Sequence, residues 1–292
     1  MTSTKNARAA ATNSLPFKKS AMNHWLAAAL CGFGVLAGTA AQAAPVTVAI
    51  INGSSGIMDV GSLAAQLNDD SFHDFSATVL LDNAVTNASV LSGYNVVLLG
   101  GSGHSNSEYS ANTLAAVHSF MQAGGGVVTA GWYRYGAIDA ADQAAADAIT
   151  PVVTGGGYAY AYDSSINFNN ILHDITSGVS SFSVSGCCIE VASALDLGAT
   201  SLATADGSIA VAYQDTVGRS VYLGALYTAN PDNYNVDGLR TGDADRLLEQ
   251  SVYWAANRIT VVPNANSDVP EPGSLALVMA ALAALAVARR SA

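Results

Sequence analysis

The chain has 292 residues, 50% of them hydrophobic and only 11% charged, with 22 acidic against 11 basic residues and a formal net charge of −11. A surface of that sign repels nucleic acid and anionic lipid headgroups, so neither is expected as a partner. The length is enough for one large domain or two small ones.

The first signal in chain order is an address. Lys18 and Lys19 precede an apolar stretch at residues 25–37, and Ala41-Gln42-Ala43 has the small-x-small form of a signal peptidase site. Residues 1–43 therefore read as a secretory signal with a leading extension, cut after Ala43, and the protein is expected to be exported. Four basic residues leave with that signal and two more, Arg289 and Arg290, lie at the far end. Between Ala44 and Pro272 remain five arginines and all 22 acidic residues. Such acidity keeps an exported protein soluble.

The body, residues 45–260, alternates strands and helices. PVTVAII at 45–51 is a short apolar, β-branched strand broken by Asn52-Gly53-Ser54-Ser55-Gly56. A helix is predicted over 59–68, with Val60, Leu63, Ala64 and Leu67 on one face. Strands follow at 77–81 and 95–99, the latter running into Gly100-Gly101-Ser102-Gly103-His104. Residues 112–123 form a second helix through Leu114, Val117, Phe120 and Met121, and a strand at 127–130 follows three glycines. Continuously apolar strands alternating with helices predict an α/β three-layer sandwich around a mainly parallel, flavodoxin-like sheet.

An alanine-rich helix is predicted over 138–149, ending before Pro151. Beyond it the texture turns to strands at 158–162, 181–184, 189–194, 201–204, 209–213 and 220–226, some antiparallel. The last element is an amphipathic helix at 244–258 with Leu247, Leu248 and Val252 inward. Residues 261–268 form a linker, rich in Asn and Ser.

The tail, residues 269–292, opens on Val269-Pro270-Glu271-Pro272. The prolines forbid a helix there, and residues 275–288 are then entirely Leu, Ala, Val or Met. No polar face remains for water, so a membrane helix is expected, closed by Arg289 and Arg290 at a cytoplasmic face. This arrangement resembles the PEP-CTERM sorting signals of Gram-negative bacteria, and Val269, Pro270, Glu271, Pro272, Arg289 and Arg290 carry the likeness. The resemblance implies an exosortase-type membrane protease as partner, and delivery to the cell surface or an exopolysaccharide matrix.

The body in turn resembles the class I glutamine amidotransferase-like fold, and its ThuA-like relatives in particular. The carrying stretches are GYNVVLLGGSG at 93–103, SFMQAGGGVVTAGW at 119–132, HDITSGV at 173–179, GRSVYLG at 218–224 and LLEQSVYWAAN at 247–257. The resemblance implies a cysteine on a sharp strand-to-helix turn with a late His and Glu. The corresponding turn here, Ala130-Gly131-Trp132-Tyr133-Arg134-Tyr135-Gly136, has no Cys, Ser or Thr, and the last histidine is His173. Glutaminase activity is therefore not expected.

Open α/β sheets bind ligands at the carboxyl ends of their strands. Asn52, Ser54, His104, Tyr133 and Arg134 fall at such ends, and Glu108 and His118 stand nearby. Together they predict a polar crevice for a carbohydrate or small polar ligand. The alternatives are a sugar-acting hydrolase or isomerase using His104, Glu108 and Arg134, or a purely structural matrix protein. Neither a metal nor a cofactor is expected. The run Asn233-x-Asn235-x-Asp237-Gly238 has the first half of a calcium loop, but Ala244 stands where the twelfth-position glutamate belongs. Asp243 is better explained as the cap of the last helix. Cys187 and Cys188 are adjacent, so they either close a vicinal disulfide, pair between chains, or sit as small residues on a strand.

Overall fold

The computed structural model describes residues 44–54, 58–102, 108–154, 159–216, 218–230, 232, 234 and 236–256. The secretory signal, His104, the linker and the sorting tail with its membrane helix, from Val269 and Pro270 through Glu271 and Pro272 to Arg289 and Arg290, lie outside the described residues. Among the described residues no helix is long and apolar enough to cross a membrane.

Strands β1 (Val46–Asn52), β2 (Phe75–Leu81), β3 (Val96–Leu99) and β4 (Gly126–Ala130) pair in parallel, and β11 (Arg219–Leu223) joins β4 in the same sense. The sheet then continues antiparallel through β10 (Ser208–Asp215), β9 (Thr200–Ala205), β6 (Ser165–Phe168) and β7 (Phe182–Ser183). Its nine strands run in the order β2-β1-β3-β4-β11-β10-β9-β6-β7. The expected parallel sheet is thus one half of the structure. In the other half, β9 to β10 and β10 to β11 are antiparallel because connections of two or three residues are too short for crossovers. Asp206 and Gly207, both at positive φ, turn β9 directly into β10.

Burial on both faces explains the unbroken apolar strands. Val48, Ile50, Val96, Leu98 and Val128 point to one side, where they meet Leu63 and Leu67 of α1 (Val60–Leu67) and Leu247, Leu248 and Val252 of α5 (Gly242–Ala256). Their neighbours Ala49, Ile51, Val97, Leu99 and Val127 point to the other. There they meet Leu114, Val117, Phe120 and Met121 of α2 (Ala111–Gln122), with Ala145 and Ala146 of α4 (Gln143–Ala148). Alternate residues of each strand serve opposite layers, as pleating requires. The three-layer sandwich follows.

Local signals set the helix starts. Asp59, Ser110 and Asp142 accept hydrogen bonds from the backbone of Ser62, Thr113 and Ala145 respectively. The cap at Asp142 also corrects the helix expected over 138–149. A short helix α3 (Tyr133–Ala137) ends before it, and α4 begins anew after it. Likewise α5 opens at Gly242, so Asp243 lies within its first turn rather than capping it. There its charge still suits the positive end of the helix.

Helix α5 lies so close to β4 that a side chain at Gly126 has no room. A Cβ there would stand 2.4 Å from the Ala255 carbonyl oxygen. Gly126→Ala is therefore expected to destabilise the domain by about 1–3 kcal/mol. Gly61, on α1 with nothing within 4 Å of its would-be Cβ, is the control. Gly61→Ala should stabilise by about 0.5 kcal/mol. Urea titration of both variants measures the contrast, and equal midpoints would contradict it.

Candidate functional site

The carboxyl ends of β1, β3 and β4 meet at one edge of the sheet. After β1, Ser54 donates its backbone N–H to the Glu108 carbonyl at 2.8 Å. After β3, the Ser102 hydroxyl donates to the Glu108 carboxylate at 3.1 Å, and both side chains are buried. Gly53 permits this approach, since a Cβ there would stand 2.3 Å from Glu108 Cγ. The Asn52 side-chain oxygen is shielded from water and accepts no hydrogen bond from the described residues. Asn52, Ser54 and Glu108 thus lie together, and Ser102, which the sequence did not single out, lies with them. His104 lies outside the described residues.

Backbone contacts extend this edge. The Tyr109 hydroxyl takes the Gly100 N–H at 2.9 Å and donates to the Gly100 carbonyl at 2.8 Å. Thr228 donates to Gly101 O at 3.3 Å. Gly101 donates to Gly131 O and Gly131 to Ala225 O, so three loops lie against one another with little side chain between.

The turn after β4 is sharp. Trp132 sits in the left-handed region at φ 65°, a conformation unfavourable for a bulky L-residue. Its carbonyl accepts the N–H of Gly136 and so starts α3. Trp132 is almost fully buried, with ring centroids 5.9 Å from Tyr135, 6.0 Å from Tyr160 and 6.3 Å from Tyr234. The turn, in which the sequence offers no Cys, Ser or Thr, presents an aromatic cluster.

Tyr133 and Arg134 do not reach the crevice. The Tyr133 hydroxyl donates to Ala146 O at 2.8 Å inside the helical layer. Arg134 is 2% exposed, and its guanidinium donates to the carbonyls of Val153 and Val191. Left-handed Trp132 ends the strand, and the two residues that follow turn inward with the first turn of α3. The expected ligand-facing arginine is a cross-link of the fold. His118 also stands apart, on the outer surface of α2 beside Gln122.

What Arg134 helps to hold is a second, two-stranded ribbon. Strands β5 (Ala159–Tyr162) and β8 (Cys188–Val191) pair antiparallel, placing Tyr160 opposite Glu190 and Tyr162 opposite Cys188. Cys187 and Cys188 form a disulfide at the head of β8. Fully buried Glu190 accepts the backbone N–H groups of Arg134 at 3.2 Å and Tyr135 at 2.9 Å, and Tyr222 donates to its carbonyl at 2.9 Å. Loss of hydration raises its carboxyl to about 7, against the opposing pull of the nearby Arg134 charge and these hydrogen bonds.

That shift has a sign. Unfolded, the group ionises near its ordinary value of 4.5. Between there and about 7 the folded protein binds the extra proton, so this contribution to stability is full at low pH and falls as pH rises. About 3 kcal/mol should be lost across that window. Glu190→Gln should remove this part of the slope in urea titrations from pH 4.5 to 8, and an unchanged slope would contradict the assignment.

A groove of 540 Å³ under residues 168–179 lies elsewhere, on the antiparallel half of the sheet. It is lined by that one segment, with His173 stacked 4.0 Å from Tyr213. It shares no residue with the strand-end edge. Among the described residues, no group of three or more His, Cys, Asp or Glu side chains could hold a metal ion.

Comparison with known proteins bears on both parts of the chain. No curated protein sequence matches it. The fold is similar to that of the cytoplasmic protein STM1381 from Salmonella typhimurium LT2, at a TM-score of 0.55 and 11% identity over 72% of this chain and 99% of that one. The cytoplasmic protein STM3548 from Salmonella typhimurium is similar at 0.53 and 9% identity, over 72% and 98%. A putative ThuA-like protein from Parabacteroides merdae is similar at 0.48 and 16% identity, over 73% and 91%. Residues 268–291 match the PEP-CTERM protein-sorting motif. This chain therefore joins an α/β domain of the fold found in the two Salmonella proteins to a PEP-CTERM sorting motif at its end.

Proposed function

We propose that the protein is exported through its N-terminal signal, held transiently in the inner membrane by its tail, and released by an exosortase-type protease to the cell surface or extracellular matrix. Signal peptidase is the second processing partner. The α/β domain is a non-catalytic binding module for a carbohydrate or small polar ligand. It uses the strand-end edge around Asn52, Ser54, Ser102 and Glu108, with His104 as a further ligand-binding residue.

The observation that carries the reading is Trp132. A nucleophile on this turn would need a thiol or hydroxyl there, and its charge would be stabilised by the N-terminus of the following helix. Here the position holds an indole, and the Glu190 carboxylate already takes two first-turn N–H groups of α3. With those N–H groups already bonded, the helix start has less to offer a thiolate or oxyanion. The alternative of a sugar-acting enzyme depended on Arg134, whose guanidinium is bound to Val153 and Val191.

Mass spectrometry of the protein recovered from the producing cell tests the placement. The mature chain is expected to begin at Ala44 and to lack the apolar run at 275–288. In a strain without the exosortase the tail should persist in the membrane fraction. An intact chain in the cytosol would overturn the reading.

A further inference from the structure

The ribbon β5–β8 presents aromatic surface to solvent in a regular way. On β5, Tyr160 is 51% and Tyr162 59% exposed, while Ala161 between them is buried at 3%. Alternate residues of a strand share a face, so the two tyrosines stand side by side, about 7 Å apart along the strand. Tyr160 lies edge-on to Trp132 at 6.0 Å, which places the inner end of this pair against the aromatic cluster of the strand-end edge. Gly101 continues the path. A Cβ there would stand 2.2 Å from the Trp132 carbonyl, and the next residue, Ser102, bonds Glu108. These contacts are buried, with Ser102, Glu108 and Trp132 at 2%, 1% and 6% exposure, so the accessible part of this edge is the pair Tyr160 and Tyr162 resting on Trp132.

Exposed tyrosines on a rigid support are suited to binding, because a phenol ring offers a broad apolar face with few rotatable bonds and a polar tip. The support here is rigid. Tyr160 pairs with Glu190, which is bonded to the first turn of α3, and Tyr162 pairs with disulfide-bonded Cys188. The faces of the rings suit polarised C–H groups, which a pyranose carries on its flat sides.

The charges around the ledge choose among ligands. Asp163 follows Tyr162 and is exposed. The described arginines are placed elsewhere: Arg134 inside the fold, Arg219 over Trp254, Arg246 over Phe72 and Arg240 on Gln66. With 20 acidic residues in the body against five arginines, an anionic polymer would be repelled.

We propose that Tyr160 and Tyr162, backed by Trp132, form a stacking ledge for consecutive pyranose units of an uncharged polysaccharide. The ligand is then a glycan chain running out of the crevice, not a small anion or a single sugar. The inference rests on the binding function proposed above and adds the ligand's class and direction.

The test uses the mature chain, residues 44–268, and isothermal titration with cello-, laminari- and malto-oligosaccharides of one to six units. Alginate and hyaluronan oligosaccharides serve as anionic controls. At least one neutral series should bind more tightly with length, without dependence on salt, and neither anionic series should bind. Tyr162→Ala should weaken the longer oligosaccharides by about tenfold and leave the shortest unaffected, whereas Tyr160→Ala should weaken all of them. Tyr162→Phe, which keeps the ring, should restore the length dependence. Both tyrosines are half exposed, and circular dichroism should show both alanine variants folded. Neutral binding that ignores both substitutions would overturn the ledge but leave a binding crevice standing. Preference for the anionic series would overturn it too. So would self-association of the wild type that Tyr160→Ala abolishes, because the ledge would then be an interface. If no oligosaccharide of either kind bound the wild type, the carbohydrate-binding function itself would fall with it.

Discussion

The carboxylate of Glu190 joins two pieces of this protein that come from distant parts of the chain. On one side is the turn that follows β4, on the other the ribbon of β5 and β8. By accepting the N–H groups of Arg134 and Tyr135 while Tyr222 bonds its carbonyl, Glu190 fixes the angle at which the ribbon crosses the strand ends. Arg134 repeats the connection in reverse, reaching from the turn to the carbonyls of Val191 and Val153. A carboxylate and a guanidinium without water are costly unless their hydrogen-bonding capacity is met. Here much of it is met by main-chain groups, which cannot drift. The position of the aromatic surface follows from this cross-link.

The strand-end edge shows a second economy. Gly53, Gly100, Gly101 and Gly131 let the loops after three strands approach until their backbones bond one another or bury polar side chains. Glu108 fills the space beside Gly53, and Thr228 the space beside Gly100. The glycines that suggested an open, polar crevice in the sequence serve as much to let the fold close over itself. What remains accessible shifts outward, from the strand ends toward the tyrosines of the ribbon.

The strand-to-helix turn after β4 carries Trp132 in the left-handed region, and the start of the helix that follows is taken by the Glu190 carboxylate. A reactive turn depends on an unsatisfied positive end near a nucleophile. Glu190 takes that end and so holds the aromatic surface fixed.

How much of this was legible beforehand depends on whether the information was local. The address signals, the α/β alternation and the helix faces are carried by neighbouring residues: Val60, Leu63 and Leu67 repeat at helical spacing, and the prolines at 270 and 272 stop a helix wherever they stand. The turn at Asp206-Gly207 was equally local, a plain hairpin signal. The convergence of Asn52, Ser54 and Glu108 was also within reach, because strand ends of a parallel sheet gather at one edge. The inward turn of Arg134, the capture of α3 by Glu190 and the alignment of Tyr160 with Trp132 were not. Each joins residues 19 to 57 positions apart, through a ribbon whose path no periodicity specifies. By itself the sequence determined the sorting motif at its end and which layers the chain builds, since those depend on residue patterns along short stretches. Only the tertiary structure decided which polar and aromatic groups face water, because that depends on how distant segments compete for the same buried space.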